Sequence, residues 1–168
     1  MPNSDRVVKV HRGFWHALNI TWNELVAGIN EAYTNNQSIW FTGHSLGGAL
    51  ASLAAFGLTH FTPFSFQGMY SFGQPRVGAW GFSRLVNQSL KQQMFRFANN
   101  NDFVTFLPPF LFRYAHVGQL YYLTANSKVI ENGFSLPGAI LDRIAGFRDF
   151  GQLDHDIQNY IDILQRNR

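Results

Sequence analysis

A serine between glycines, an aspartate beside asparagines and a histidine at a helix entry carry the chemistry that this chain can do. The serine is Ser45, in Gly43-His44-Ser45-Leu46-Gly47-Gly48. The apolar run Ser38-Ile39-Trp40-Phe41-Thr42 precedes it, and Ala49-Leu50-Ala51-Ser52-Leu53-Ala54-Ala55-Phe56 follows it. Strand, Gly-x-Ser-x-Gly, helix is the context in which a sharp turn presents a nucleophile. Glycines let strand and helix pass closely, and the free amides of the first helical turn point at the same spot. In a chain with 15 glycines the competing reading is a glycine-rich structural turn. A serine hydroxyl attacks a carbonyl only when a histidine takes its proton, and that histidine works best when an acid holds its other nitrogen.

The hydrolase arrangement requires the chain order serine, acid, histidine. His60, His116 and His155 follow Ser45, but no acid separates Ser45 from His60, which leaves His116 and His155. Asp102 ends the polar loop Asn99-Asn100-Asn101-Asp102, and Glu131 is the second acid considered. An aspartate beside asparagines also suits a turn or a helix cap. His155 lies in Leu153-Asp154-His155-Asp156-Ile157, at a loop-to-helix position that can deliver an imidazole from outside a sheet. His116, in Tyr114-Ala115-His116-Val117-Gly118, heads into a strand and suits structural hydrogen bonding. Asp154-His155-Asp156 is thin metal ligation, one histidine between acids that diverge on a helix, so neither metal nor other cofactor is expected.

These residues need a scaffold. Trp22, Leu25, Val26, Ile29 and Tyr33 recur on one helical face, which predicts a helix over 14–34, with Thr21 and Glu24 as a capping box at its regular start. The patterns predict strands at 38–42, 68–72, 93–98 and 118–123, with a short fifth at 128–131. Helices are predicted at 46–58, ended near Gly57, at 79–91 and at 155–166. Strands alternating with helices imply an α/β fold with a mostly parallel sheet of about four or five strands. In such sheets active-site groups gather at the C-terminal ends of strands, where Asp102 falls.

Composition bounds the rest. A length of 168 residues fits one domain over 1–168, and 46% hydrophobic residues supply a core. The formal charge of +3 is small and its cations are scattered, so a nucleic-acid partner is not expected. There is no cysteine, hence no disulfide framework. No run approaches the length of a membrane-spanning helix, and the first residues lack a signal-peptide core. Localisation stays open.

The motifs together resemble the class 3 lipases, the family of the fungal triacylglycerol lipases and related feruloyl esterases. Val10-His11-Arg12-Gly13-Phe14 resembles the family's His-x-Gly-Phe segment, and Gly43 to Gly48 its nucleophile elbow. Tyr70 to Gly78 resembles the Phe-Gly-x-Pro-Arg-x-Gly stretch. Asn101-Asp102-Phe103-Val104-Thr105 with Leu107-Pro108-Pro109 resembles the segment of the catalytic aspartate. Asp154-His155 with Tyr160 resembles the segment of the catalytic histidine, and the His116 segment one whose histidine is not catalytic. The resemblance implies an α/β-hydrolase fold, a Ser45-Asp102-His155 triad and a Leu46 amide in the oxyanion hole. The apolar segment Phe103, Phe106, Leu107, Phe110 and Phe112 after Asp102 is expected to line an acyl pocket, with core packing as the alternative, and His44, Phe103, Leu107 and Pro108 are the expected substrate contacts.

Family members carry a stretch before His-x-Gly-Phe that has no counterpart here, so the expectation is an N-terminally incomplete domain. Strand 38–42 would then be an apolar sheet edge, open to a second copy or a complementing N-terminal fragment. One oxyanion donor would be missing, at a cost of about 10²–10³ in rate. The function expected is hydrolysis of carboxylic esters, acylglycerols or other lipid esters, through an acyl-enzyme. Activity should fall as acid protonates the histidine. The rivals are a weak or inactive remnant serving as a binding module, and an acyltransferase using the same triad.

Overall fold

The computed structural model describes residues 8–131 and 152–167. Among the described residues seven strands appear in chain order: β1 (Ile39–His44), β2 (Phe66–Phe72), β3 (Gly78–Ala79), β4 (Met94–Asn99), β5 (Tyr114–Ala115), β6 (Gln119–Leu123) and β7 (Val129–Glu131). The helices are α1 (Arg12–Ala32), α2 (Leu46–Phe61), α3 (Trp80–Ser89), α4 (Gln152–His155) and α5 (Ile157–Arg166). The main sheet has the order β1-β2-β4-β6-β7. Its first four strands are parallel, and β7 runs antiparallel to β6. Parallel neighbours need long crossovers; α2 and α3 supply two of them. β3 and β5 form a separate antiparallel pair.

The sheet is covered on both faces. Alternation along β2 sends Met69 and Ser71 toward α2, where Ser52 reaches the Met69 sulfur at 3.8 Å. Leu53, Leu58, Met69, Phe82, Val86 and Met94 form the core on that side, and Trp22, Leu25 and Ile29 of α1 pack against it. The opposite face carries a smaller core of Phe97, Leu123 and Tyr160, the last brought by α5. Alanines at 49, 51, 54 and 55 keep α2 slim enough to lie close to the sheet, and all four are buried.

Four boundaries differ from the sequence expectation. α1 runs unbroken from Arg12, and the Thr21 hydroxyl donates to the Leu18 carbonyl inside it, so no capping box forms. α2 does not stop near Gly57 but continues to Phe61. Gly57 serves a close approach instead: a Cβ there would meet Trp22 Cη2 of α1 at 2.7 Å. α3 ends at Ser89, and Lys91–Gln93 form a 3-10 turn. The C-terminal helix is two helices, because Asp156 takes extended dihedrals and its carboxylate caps α5 at the Gln158 amide, 2.8 Å away.

Among the described residues β1 pairs only with β2, so it is the sheet edge. Trp40 on that edge is 50% exposed and stacks on Tyr70 at 5.7 Å. The α1–α2 seam yields a prediction. Gly57→Val should push Trp22 out of register and destabilise by about 1–3 kcal/mol. Denaturant unfolding measures it, and a variant as stable as the parent would refute the close-approach role.

Candidate active site

The elbow is built by strain. Ser45 sits between β1 and α2 with φ 54° and ψ −125°, a combination that L-residues rarely adopt and that costs about 1–3 kcal/mol. Its amide donates to the Phe72 carbonyl at the end of β2, 2.9 Å away, which ties the turn to the neighbouring strand. Gly43 and Gly47–Gly48 pass so closely that any Cβ on Gly43 would collide with the Gly47 carbonyl. The result lifts the Ser45 hydroxyl above the sheet and leaves the Leu46 amide at the first helical turn. Leu46 itself is exposed.

The Ser45 hydroxyl donates to His155 Nε2 at 2.8 Å. The other ring nitrogen of His155 donates to Asp102, 2.9 Å from Oδ1 and 3.0 Å from Oδ2. Residues far apart in sequence thus meet in one line: the end of β1, the loop after β4 and the end of α4. His155, not His116, meets the serine, and Asp102, not Glu131, meets the histidine. Glu131 lies at the far edge of the sheet and accepts the Tyr121 hydroxyl at 3.0 Å. His116 donates Nε2–H to the Thr105 carbonyl at 2.8 Å, behind the aspartate loop.

Asp102 is fully buried, and a buried carboxylate must be satisfied. It accepts from the Val104 amide at 3.0 Å, from the Tyr160 hydroxyl at 2.6 Å and from His155. Tyr160 in turn accepts the Asn99 amide at 2.9 Å. Burial, and then the Asp102 charge, push the Tyr160 hydroxyl well above its ordinary pKa of 10, so it stays a donor. Gly73, at φ +59°, passes beneath the pair: a Cβ there would lie 2.7 Å from Asp102 Oδ2 and 3.0 Å from His155 Nδ1.

Asp154 and Asp156, weighed as metal ligands in the sequence, have structural work. Asp154 accepts from the Asn101 amide at 3.2 Å, and its carbonyl accepts from Asn99 Nδ2 at 3.0 Å. These bonds fasten the His155 segment onto the Asp102 loop. His44, expected among substrate contacts, donates Nε2–H to the His155 carbonyl at 2.7 Å, its ring 4.6 Å from the His155 ring. That makes it a positioning residue for the imidazole. Phe103 lies 6.5 Å from the His155 ring and is 43% exposed, as is Leu107. Arg76 clamps this segment through the carbonyls of Phe106 and Pro108. Sequence reasoning missed the hydroxyl of Tyr160 and the clamp of Arg76. A tyrosine in a stripe of isoleucine and leucine was the available signal, since a buried hydroxyl seeks a partner.

A nucleophile elbow at one strand end, with an acid and a histidine delivered by later segments, defines an α/β-hydrolase fold of the serine type. The family model for lipase (class 3) matches residues 1–112, and the chain belongs to that family. The match takes in Ser45 and Asp102; His155 lies beyond it. A lipase of Rhizomucor miehei is 38% identical over 129 residues, 71% of this chain and 34% of the relative. The secreted mono- and diacylglycerol lipase 1 of Fusarium solani is 38% identical over 116 residues, 68% of this chain and 34% of the relative. The chain therefore spans about a third of the length of these curated relatives. Among solved structures, a triacylglycerol lipase whose catalytic centre is described as a serine protease triad superposes with a TM-score of 0.71. It is 31% identical, covering 92% of this chain and 60% of that one.

Two predictions follow from the buried groups. Tyr160→Phe deprives Asp102 of a donor and the Asn99 amide of its acceptor, so stability should fall by about 1–3 kcal/mol in denaturant unfolding; an unchanged midpoint would refute the role given to the hydroxyl. His116 is held well below 6.5, first by burial of its ring and then by the Arg96 and Arg76 charges. Unfolding restores its ordinary affinity, so below pH 6.5 the unfolded chain binds a proton that the fold rejects. Stability from this group is complete above pH 6.5 and is lost as pH falls below it. His116→Gln should flatten the fall of melting temperature on acidification, and parallel curves for the two proteins would exclude it.

Proposed function

We propose that this chain, as one hydrolase domain over 1–168, cleaves carboxylic esters of lipids, with acylglycerols the leading substrates. The observation that carries the reading is the unbroken hydrogen-bonded line from Ser45 through His155 to Asp102. Ser45 attacks the acyl carbonyl while His155 Nε2 takes the hydroxyl proton. Asp102 holds the imidazole in the Nδ1–H tautomer and stabilises the imidazolium that forms. The Leu46 amide donates to the tetrahedral oxyanion, aided by the positive end of α2. His155 then gives its proton to the departing alcohol. A water, deprotonated by the same nitrogen, releases the acid from Ser45.

His44 holds the main chain of His155 during both proton transfers. Phe103, Leu107 and Pro108 border the site on the side of the aspartate loop and give an acyl chain an apolar wall. The reading is supported by membership of the class 3 lipase family and by relatives named as lipases.

The open edge of β1 favours a second reading, in which full activity awaits a segment or partner that pairs with that strand. A single experiment separates hydrolase from binding module. A fluorophosphonate should label the folded chain stoichiometrically at Ser45, with Ser45→Ala unlabelled and acylglycerol or p-nitrophenyl ester cleavage abolished in that variant. Folded protein that takes no label would overturn the catalytic reading.

A further inference from the structure

Among the described residues five buried side-chain polar atoms have no hydrogen-bond partner, and four of them belong to one patch: Ser71 Oγ, Gln74 Nε2, Arg96 Nε and His116 Nδ1. The patch lies on the face of the sheet that α2 covers, beneath the elbow. Ser71 of β2 and Arg96 of β4 are register partners on adjacent strands, and Met94, two residues before Arg96, is in the core on that face. A Cβ on Gly48, in the first turn of α2, would lie 3.2 Å from the Ser71 Cβ and 3.1 Å from the Gln74 Cβ, so those two side chains start side by side. The Ser52 hydroxyl binds Gln74 Oε1 at 3.1 Å, while the Gln74 amide nitrogen keeps its N–H groups unused. The Arg96 charge reaches His116.

Ser71 and Gln74 are wholly buried, and Arg96 is 7% exposed. Buried donors without acceptors are uncommon, and one that carries a full charge is costly. Among the described residues no carboxylate pairs with Arg96. The groups whose charge bears on it are Tyr160, a phenol that stays protonated, and Arg76, a second cation. The buried acid of this region, Asp102, already accepts from Val104, Tyr160 and His155. A positive charge and three donor groups thus share one buried patch with no acceptor for them.

We propose that this patch binds a single monatomic anion, chloride, between Arg96 Nε–H, the Ser71 hydroxyl and the Gln74 amide nitrogen. The chemistry of the ligand follows from the groups. All three donate and one is a cation, so the occupant accepts hydrogen bonds and carries negative charge. Water would answer the donors and not the charge. One guanidinium suits a monovalent ion, and the close packing of Gly48 on Ser71 and Gln74 argues against a polyatomic one such as phosphate. His116 supplies no donor, because its Nε2–H is on the Thr105 carbonyl and Nδ1 is a lone pair in the neutral ring. Bound there, the anion would neutralise Arg96 and join β2 and β4 to Gln74, the residue after the Gly73 that lies under Asp102 and His155. It would be a structural ion in the floor of the site, and the inference stands apart from the ester-hydrolase reading because it needs no substrate.

The test melts the full chain at constant ionic strength in sodium gluconate, with chloride or bromide replacing gluconate stepwise. Chloride should raise the melting temperature by about 5 °C or more, along a curve that saturates. Ser71→Ala gives the sharper reading. In gluconate it removes an unsatisfied hydroxyl and should be at least as stable as the parent. In chloride it lacks a donor to the ion, so its response should be roughly half the parent's or less. Arg96→Met should abolish the response; where that variant does not fold, Arg96→Lys, which keeps the charge and loses the Nε–H, should weaken it. Crystals grown in bromide should show an anomalous peak within hydrogen-bond distance of Arg96 Nε. Equal melting temperatures in gluconate and chloride, or a response that Ser71→Ala shares in full, would overturn the proposal. A bromide peak without stabilisation in solution would mean an adventitious ion only and would overturn it as well, as would ordered water in place of the peak.

Discussion

A carboxylate cannot stay buried without donors, and the fully buried carboxylate of Asp102 organises this site. Its donors come from three directions: the Val104 amide in its own turn, the Tyr160 hydroxyl from α5 and the imidazole of His155 from α4. Each donor requires the element that brings it to be docked. α5 must lie on the sheet for Tyr160 to reach inward, and the His155 segment must be fastened to the Asp102 loop, which Asp154 and Asn99 do. A residue with no side chain must lie beneath, and Gly73 is there. Removing any of these supports would leave a charge buried without enough partners, a cost larger than most single contacts repay.

The elbow is the second constraint, and it depends on the first. The dihedrals of Ser45 are unfavourable by themselves and persist only because the surroundings over-determine them. Its amide is held by Phe72 at the end of β2, and the helix behind it is locked by small residues against the sheet. Gly73, one residue past Phe72, donates its own amide to the Phe97 carbonyl of β4. The ends of β1, β2 and β4 are thus tied in sequence. Ser45, Gly73 and Asp102 hold their spacing because three parallel strands end together.

The buried cations behind the site show another side of the same economy of charge. Arg96 on β4 is fully enclosed, and burial lowers its pKa to about 10. Burial, and then the Arg96 charge, hold His116 neutral, and His116 donates to the Thr105 carbonyl of the turn that carries Asp102. The turn that presents the acid is therefore braced from behind by the His116 ring. At the edge of the sheet, among the described residues, β1 pairs on one side only, with Trp40 half exposed, and the same strand carries the elbow.

The sequence alone determined what local rules govern. Strand and helix periodicity, the Gly-x-Ser-x-Gly turn and the order serine, acid, histidine are properties of neighbouring residues, and Ser45 was legible from them. Strands 38–42, 68–72, 93–98, 118–123 and 128–131 each reappear within a residue or two. The helix ends were less legible. Gly57 reads as a stop in one dimension and is a contact in three, and Thr21 looks like a cap until its hydroxyl finds the carbonyl a turn behind. Chain order alone left two acids and two histidines open, and the family resemblance pointed to Asp102 and His155. The tertiary structure brings them together, because they become neighbours through the docking of α4 and α5 and not through any spacing. It likewise decided that the Tyr160 hydroxyl belongs to Asp102 and that His44 holds His155 in place. Hydrogen bonds between residues more than fifty positions apart leave no periodic trace in a single chain, so their partners emerge only when the sheet brings its strand ends together.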